Sequence, residues 1–164
     1  MKVIFLDVDG VLDIFNPEQH IQDIMKSAVL RLRKIIDKTA AKIVVISNWR
    51  YGSSVFAERH KEKDIFQQEC DNYPILIEEL RKYGMEIYDI TPWEDSLNTR
   101  SEEIMEYLKR RPEIKSFVIL DDCFGDNYSQ YQELKQRLVF VDANTALQDG
   151  DVEKAIAILE TCQA

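Results

Sequence analysis

The sequence predicts an α/β domain in which helices cover both faces of a central, mostly parallel sheet. Two features carry that expectation: short, nearly continuous apolar runs of strand length, and longer segments between them whose apolar residues recur at helical spacing. Strands that alternate with helices need crossover connections, which gives a three-layer α/β/α arrangement with about five strands. A third feature locates the functional edge. Acids and hydroxyls come directly after the apolar runs, and open sheets of this kind bind ligands at the carboxyl ends of their strands.

Residues 2–8 are apolar and rich in β-formers, so they read as a strand buried on both faces that ends in Asp7-Val8-Asp9-Gly10. Met25, Ala28, Val29, Leu32, Ile35 and Ile36 then mark one amphipathic helix over 25–39. Residues 43–46, Ile-Val-Val-Ile, form a second strand that stops at Ser47-Asn48-Trp49-Arg50. The polar stretch 51–73 has weak periodicity and reads as loop with at most a turn of helix. Pro74 suits the first turn of a helix carrying Leu76, Leu80 and Tyr83 on one face, and Gly84 can supply a left-handed residue to end it.

Residues 85–90 form a third strand closed by Thr91-Pro92. Thr99 and Glu102 have the spacing of a capping box, so a helix starts near Arg100, buries Ile104, Tyr107 and Leu108, and stops at Arg111-Pro112. The fourth strand, 117–120, runs into Asp121-Asp122, and the fifth, 138–141, into Asp142. Val152, Ala155, Ile156 and Leu159 mark a final helix.

Bulk properties narrow the function classes. The chain has 164 residues, 45% hydrophobic and 31% charged, which suits one domain over 1–164 with a sizeable core. Its three cysteines lack CxxC spacing, which argues against a disulfide framework or a structural zinc site. The net charge of −9 disfavours nucleic acid as a partner, because phosphate binding relies on clustered Lys and Arg. The basic clusters at 31–34 and 109–111 read as solvated helix faces. Nothing resembles a secretory leader or a membrane span, so a cytoplasmic location is expected.

Several carboxylates gathered at one sheet edge repel one another unless a cation lies among them. Asp7, Asp9, Asp121 and Asp122 offer hard oxygen ligands that suit Mg2+ shared with a phosphate. Any one of these acids could simply cap the next turn, but the set together points to chemistry. A carboxylate can attack phosphorus and form an aspartyl phosphate. A second acid two residues along can protonate the leaving oxygen and then activate water. Gly10 lets the backbone turn sharply behind the pair.

These residues resemble the motifs of the haloacid-dehalogenase-like superfamily. Asp7-Val8-Asp9-Gly10-Val11-Leu12 is similar to its first motif, which implies Asp7 as nucleophile and metal ligand, and Asp9 as general acid and base whose carbonyl completes the metal site. Residues 43–47 look like the second motif, which implies that the Ser47 hydroxyl binds phosphoryl oxygens. Asp121-Asp122, with Asp126 four residues on, looks like the acidic fourth motif, with Asp122 the preferred ligand and Asp121 close behind. The third motif departs from the usual pattern, since its Lys position matches Arg100, which keeps the charge with a different reach.

The resemblance implies a magnesium-dependent phosphatase with a minimal cap and an open site. Phosphotransfer to another acceptor and a non-catalytic phosphoryl-binding role are the alternatives. Ile-Ser-Asn-Trp-Arg and Thr-Arg-Ser-Glu-Glu-Ile are also similar to a small group of these domains associated with RNA-repair proteins. That likeness implies a nucleic-acid end as substrate, against the charge, beside a phosphorylated small molecule or other macromolecular phosphoester. Gly10, Ser47, Asn48, Arg50 and Arg100 are the expected substrate contacts, with Trp49 either stacking on substrate or packing inward.

Overall fold

In a computed structural model, the described residues are 1–14, 23–54, 67–94, 96–123 and 126–161, with the side chains of 67–71 and 126–127 excluded. Five strands form one sheet: β1 (Lys2–Leu6), β2 (Lys42–Val45), β3 (Ile87–Ile90), β4 (Ser116–Asp121) and β5 (Leu138–Phe140). Every pairing is parallel, and the order is β3-β2-β1-β4-β5. The chain builds outward from β1 in one direction and then returns to β1's other side. The reversal falls between β1 and β4, the point where such sheets open a binding crevice.

Alternation along the strands divides the core. Ile4, Leu6, Ile43, Val45, Val118 and Leu120 face one layer, which also holds Val29 and Leu32 from α1 (Lys26–Thr39), Leu76 and Leu80 from α2 (Gln67–Arg81), and Val152 and Ala155 from α6 (Asp149–Glu160). Val3, Phe5, Val44, Ile46, Phe117 and Ile119 face the other, against Ile104 and Tyr107 of α3 (Arg100–Lys109), Tyr128 of α4 (Asp126–Ser129) and Leu134 of α5 (Gln132–Gln136). The result is the expected three-layer Rossmann-like fold. Because β1, β2 and β4 are covered on both sides, they read in the sequence as unbroken apolar runs.

The helix ends also reflect local chemistry. Thr99 accepts from the Glu102 amide while the Glu102 carboxylate takes the Thr99 amide, so the capping box is formed and α3 starts at Arg100. Gly84 takes φ 67°, and the Met85 amide returns to the Leu80 carbonyl at 3.1 Å, closing α2 with a left-handed turn.

One expectation is refined and one corrected. Residues 51–52, at the start of the stretch read as loop, close a short 3-10 helix (Asn48–Gly52) whose N-cap is Ser47. The next helix starts at Gln67, so Pro74 lies inside it rather than in its first turn. A proline there removes one helical hydrogen bond. Packing of Leu76 and Leu80 into the core offsets that loss, which is why the polar first half of α2 shows no period of its own. The short flap expected after Gly10 and most of the stretch after Tyr51 lie outside the described residues, as do His20 and His60.

Candidate active site

The parity of two strands places the first pair of acids. Val3 and Phe5 point toward α3, so the next odd residue, Asp7, does too; on β4, Phe117 and Ile119 set the same course for Asp121. Backbone pairing holds the two ends side by side, with the Asp7 amide donating to the Leu120 carbonyl at 3.0 Å. Arg100, the first residue of α3, reaches down between them. Its Nη1 donates to Asp7 Oδ2 at 3.0 Å and to Asp121 Oδ2 at 2.9 Å.

The two acids differ in what else they hold. Asp121 is fully buried and accepts the Cys123 amide on Oδ1 at 2.7 Å, while Oδ2 takes the Tyr128 hydroxyl as well as Arg100. Both of its oxygens are therefore engaged by the protein. Asp7 is nearly as buried, and burial lifts its carboxyl to about 7, with Arg100 opposing the shift and Asp121 adding to it. The guanidinium is driven the other way: burial opposes its charge, but the Asp7 and Asp121 carboxylates outweigh that and hold it well above the usual arginine range.

Even-numbered Asp122 leaves on the opposite side and lies over Gly10. A Cβ added to Gly10, whose φ is 74°, would come within 2.4 Å of Asp122 Oδ2. Glycine is thus required twice, by the left-handed backbone and by the close approach of a carboxylate. The Gly10 amide donates to Asp13 Oδ1 at 2.7 Å, and Asp13 also hydrogen-bonds Asp9. Burial raises Asp9, Asp13 (to about 6) and Asp122, and each of these acids also lies in the field of others.

Beyond β2, the Ser47 hydroxyl is 1% exposed and accepts weakly from the Trp49 amide at 3.4 Å as it caps the 3-10 turn. That turn folds the next side chains inward. Trp49 is buried, and its indole N–H donates to Asp9 Oδ1 at 3.0 Å. Arg50, expected to grip substrate, is 2% exposed and already engaged. Its Nη1 donates to the Ile46 and Ser47 carbonyls, and its Nη2 donates to both Glu103 carboxylate oxygens at 2.9 and 2.8 Å. Asn48 remains exposed at the rim.

The donor set fits a hard divalent cation. Four carboxylates, Asp7, Asp9, Asp121 and Asp122, lie at this edge, and Arg100 pairs directly with two of them, Asp7 and Asp121. Asp121, Asp122 and Cys123 each bring a ligand atom within 4.8 Å of the others. Asp121 is already spoken for, however, and the Cys123 thiol is a soft donor. The carboxylate beside Gly10 is the one set against open backbone. Asp126, expected near this group, has a side chain outside the described residues.

Three residues escaped the sequence reading: Tyr128, Asp13 and Glu103. Glu103 alone carried a signal, lying one helical turn after Arg100 and so on the same face of α3. Among the described residues no helix is long and apolar enough to cross a membrane. Residues 3–152 match the family model described as HAD domain in Swiss Army Knife RNA repair proteins. No curated protein and no solved structure matches the chain.

Proposed function

The chain belongs to the family of HAD domains in Swiss Army Knife RNA repair proteins, a phosphatase-type hydrolase domain, and we propose that it is a magnesium-dependent phosphomonoesterase whose nucleophile is Asp7. The observation that carries this reading is the single guanidinium of Arg100, held between Asp7 and Asp121 where the sheet reverses. One fixed positive charge shared by two carboxylates supports a phosphoryl group entering beside Asp7.

In the first half-reaction the Asp7 carboxylate attacks phosphorus in line with the leaving oxygen. The new acyl–phosphate bond forms as the ester P–O bond breaks, and the Asp9 carboxyl gives its proton to the departing alcohol. Burial, opposed by the Trp49 indole, raises the Asp9 carboxyl, the direction that favours a proton donor. In the second half-reaction the Asp9 carboxylate takes a proton from water as the water oxygen attacks phosphorus, releasing inorganic phosphate and restoring Asp7. The Ser47 hydroxyl and the Arg100 guanidinium bind the non-bridging oxygens throughout.

Asp7, Asp122 and the Asp9 carbonyl would hold Mg2+, which when bound supplies positive charge against the phosphoryl oxygens. Asp121 has a different duty, holding Arg100 in place. The family description favours a phosphorylated nucleic-acid end as the substrate, with the −9 charge restricting contact to the reacting terminus.

Turnover of an aryl phosphate with and without Mg2+ tests the reading, alongside Asp7→Asn. Activity should require the metal, and the variant should lose roughly 10⁴-fold or more in kcat while staying folded. An Asp7→Asn protein that hydrolyses the ester at the wild-type rate removes the nucleophile assignment.

A further inference from the structure

Arg50 and Glu103 form a buried ion pair that the catalytic scheme does not use. Arg50 is 2% exposed and Glu103 is 6% exposed, and each is strongly desolvated. Taking two charges out of water is costly, and apolar residues of similar volume often serve stability as well or better. A pair retained in such a place calls for a role other than stability, and its connections indicate which.

The pair spans the two groups expected to hold the phosphoryl oxygens. On one side Arg50 Nη1 donates to the carbonyls of Ile46 and Ser47, at 2.9 Å in the latter case, which fixes the backbone that presents the Ser47 hydroxyl. On the other, Glu103 sits one turn after Arg100 on α3 and takes both bonds from Arg50 Nη2. Glu103 also takes a hydrogen bond from the Thr91 side chain, at the end of β3. A guanidinium whose Nη2 donates to both carboxylate oxygens and whose Nη1 donates to two carbonyls has little rotational freedom, even with Nε buried and without a partner among the described residues.

We propose that the Arg50–Glu103 pair is a strut that sets the separation between the Ser47 hydroxyl and the Arg100 guanidinium, making Arg50 and Glu103 positioning residues for phosphoryl transfer. The proposal rests on the phosphatase reading for its catalytic consequence, but the coupling it describes is a property of the fold. The strut also accounts for Arg50 being buried although it lies so close to Ser47 along the chain: the 3-10 turn points it across to α3. Arginine is needed because a lysine ammonium could not bridge two carbonyls and a carboxylate in one plane.

Two variants test it. Arg50→Met/Glu103→Leu exchanges the pair for apolar chains of similar volume, and Glu103→Gln keeps the shape while removing the charge, so one remains informative if the other fails to fold. In protein shown to be folded by a cooperative thermal transition, kcat for an aryl phosphate at saturating Mg2+ should fall on the order of 10- to 100-fold. KM should stay within about 3-fold, because the metal and Asp7 still receive the ester.

Amide hydrogen exchange, read without any substrate, should rise together over residues 47–50 and 99–103 while β1 and β4 stay protected. Exchange that rises at one end only, or a folded variant that keeps the kcat of an active wild type, overturns the strut. A wild type that hydrolyses no phosphoester, with exchange still rising at both ends, upholds the strut as a coupling and removes the phosphatase reading instead.

Discussion

The ends of β1 and β4 each deliver two acids to the same edge, and they do it differently. After β1 the acids are spaced by one residue, Asp7 and Asp9, with Val8 buried between them in the layer opposite α3. After β4 they are adjacent, Asp121 and Asp122, so strand parity sends them to opposite sides. One acid from each end meets Arg100. The contrast lies in saturation: Asp121 is satisfied by Cys123, Tyr128 and Arg100, whereas Asp7 sits buried with its carboxyl raised to about 7. A carboxylate with three protein partners holds other groups in place; Asp7, which takes Arg100 and the Val8 amide and whose carboxyl burial raises, is the better placed of the two to react.

That contrast can be broken at β4 first, where the largest difference between neighbours is expected. Asp122→Asn should raise the Mg2+ concentration needed for half-maximal activity by about 10- to 100-fold. Asp121→Asn should leave that concentration within about 3-fold and lower kcat instead, since it loosens Arg100 rather than the metal. Mg2+ titrations of activity for both variants decide the point. Equal shifts in metal requirement would mean that the two acids share one duty.

Gly10 joins the two ends, so Gly10→Ala probes both at once. The alanine methyl would need φ near 74° and would press on Asp122, whose Oδ2 is 2.4 Å from the Cβ position. The left-handed backbone alone costs roughly 1–2 kcal/mol for a residue other than glycine. Urea unfolding should therefore show a loss of about 2 kcal/mol or more. The Mg2+ requirement should shift in the same direction as in Asp122→Asn, because the methyl displaces the same carboxylate.

How much of this is legible in the sequence depends on whether a residue's role is set by its own strand or by a distant one. The acids are legible because a buried parallel strand reads as an apolar run, and the residues at its carboxyl end must emerge at the sheet's ligand-binding edge. Arg100 is legible through the Thr99–Glu102 capping box, which fixes where α3 begins. Arg50 is misplaced because its proximity to Ser47 along the chain imitates proximity to substrate. The 3-10 turn that aims it at Glu103, 53 residues away, has no periodic signal. Tyr128 is invisible for a similar reason, as α4 spans only Asp126–Ser129, too short to show a buried face. The start of α2 at Gln67 is hidden because Pro74 imitates a helix start when packing is ignored.

A last difference is a pH dependence of the metal-free protein, and it separates the two strand ends without any assay of turnover. Asp7 has a folded-state pKa of about 7 against 3.8 for the unfolded chain, so between those values the folded protein binds more protons than the unfolded one. Stability is then fully present below about pH 4 and is lost as the pH rises toward about 7; Asp13, raised to about 6, acts in the same direction. In chelator-treated protein the unfolding free energy should decline over that window by up to about 4 kcal/mol attributable to Asp7, a shift of roughly three units at about 1.4 kcal/mol each. Asp7→Asn should flatten the decline, since the amide does not titrate, and saturating Mg2+ should do so in the wild type by favouring the charged form. A decline that survives unchanged in Asp7→Asn would assign the titration to the other acids of the edge and remove the distinction drawn between Asp121 and Asp7.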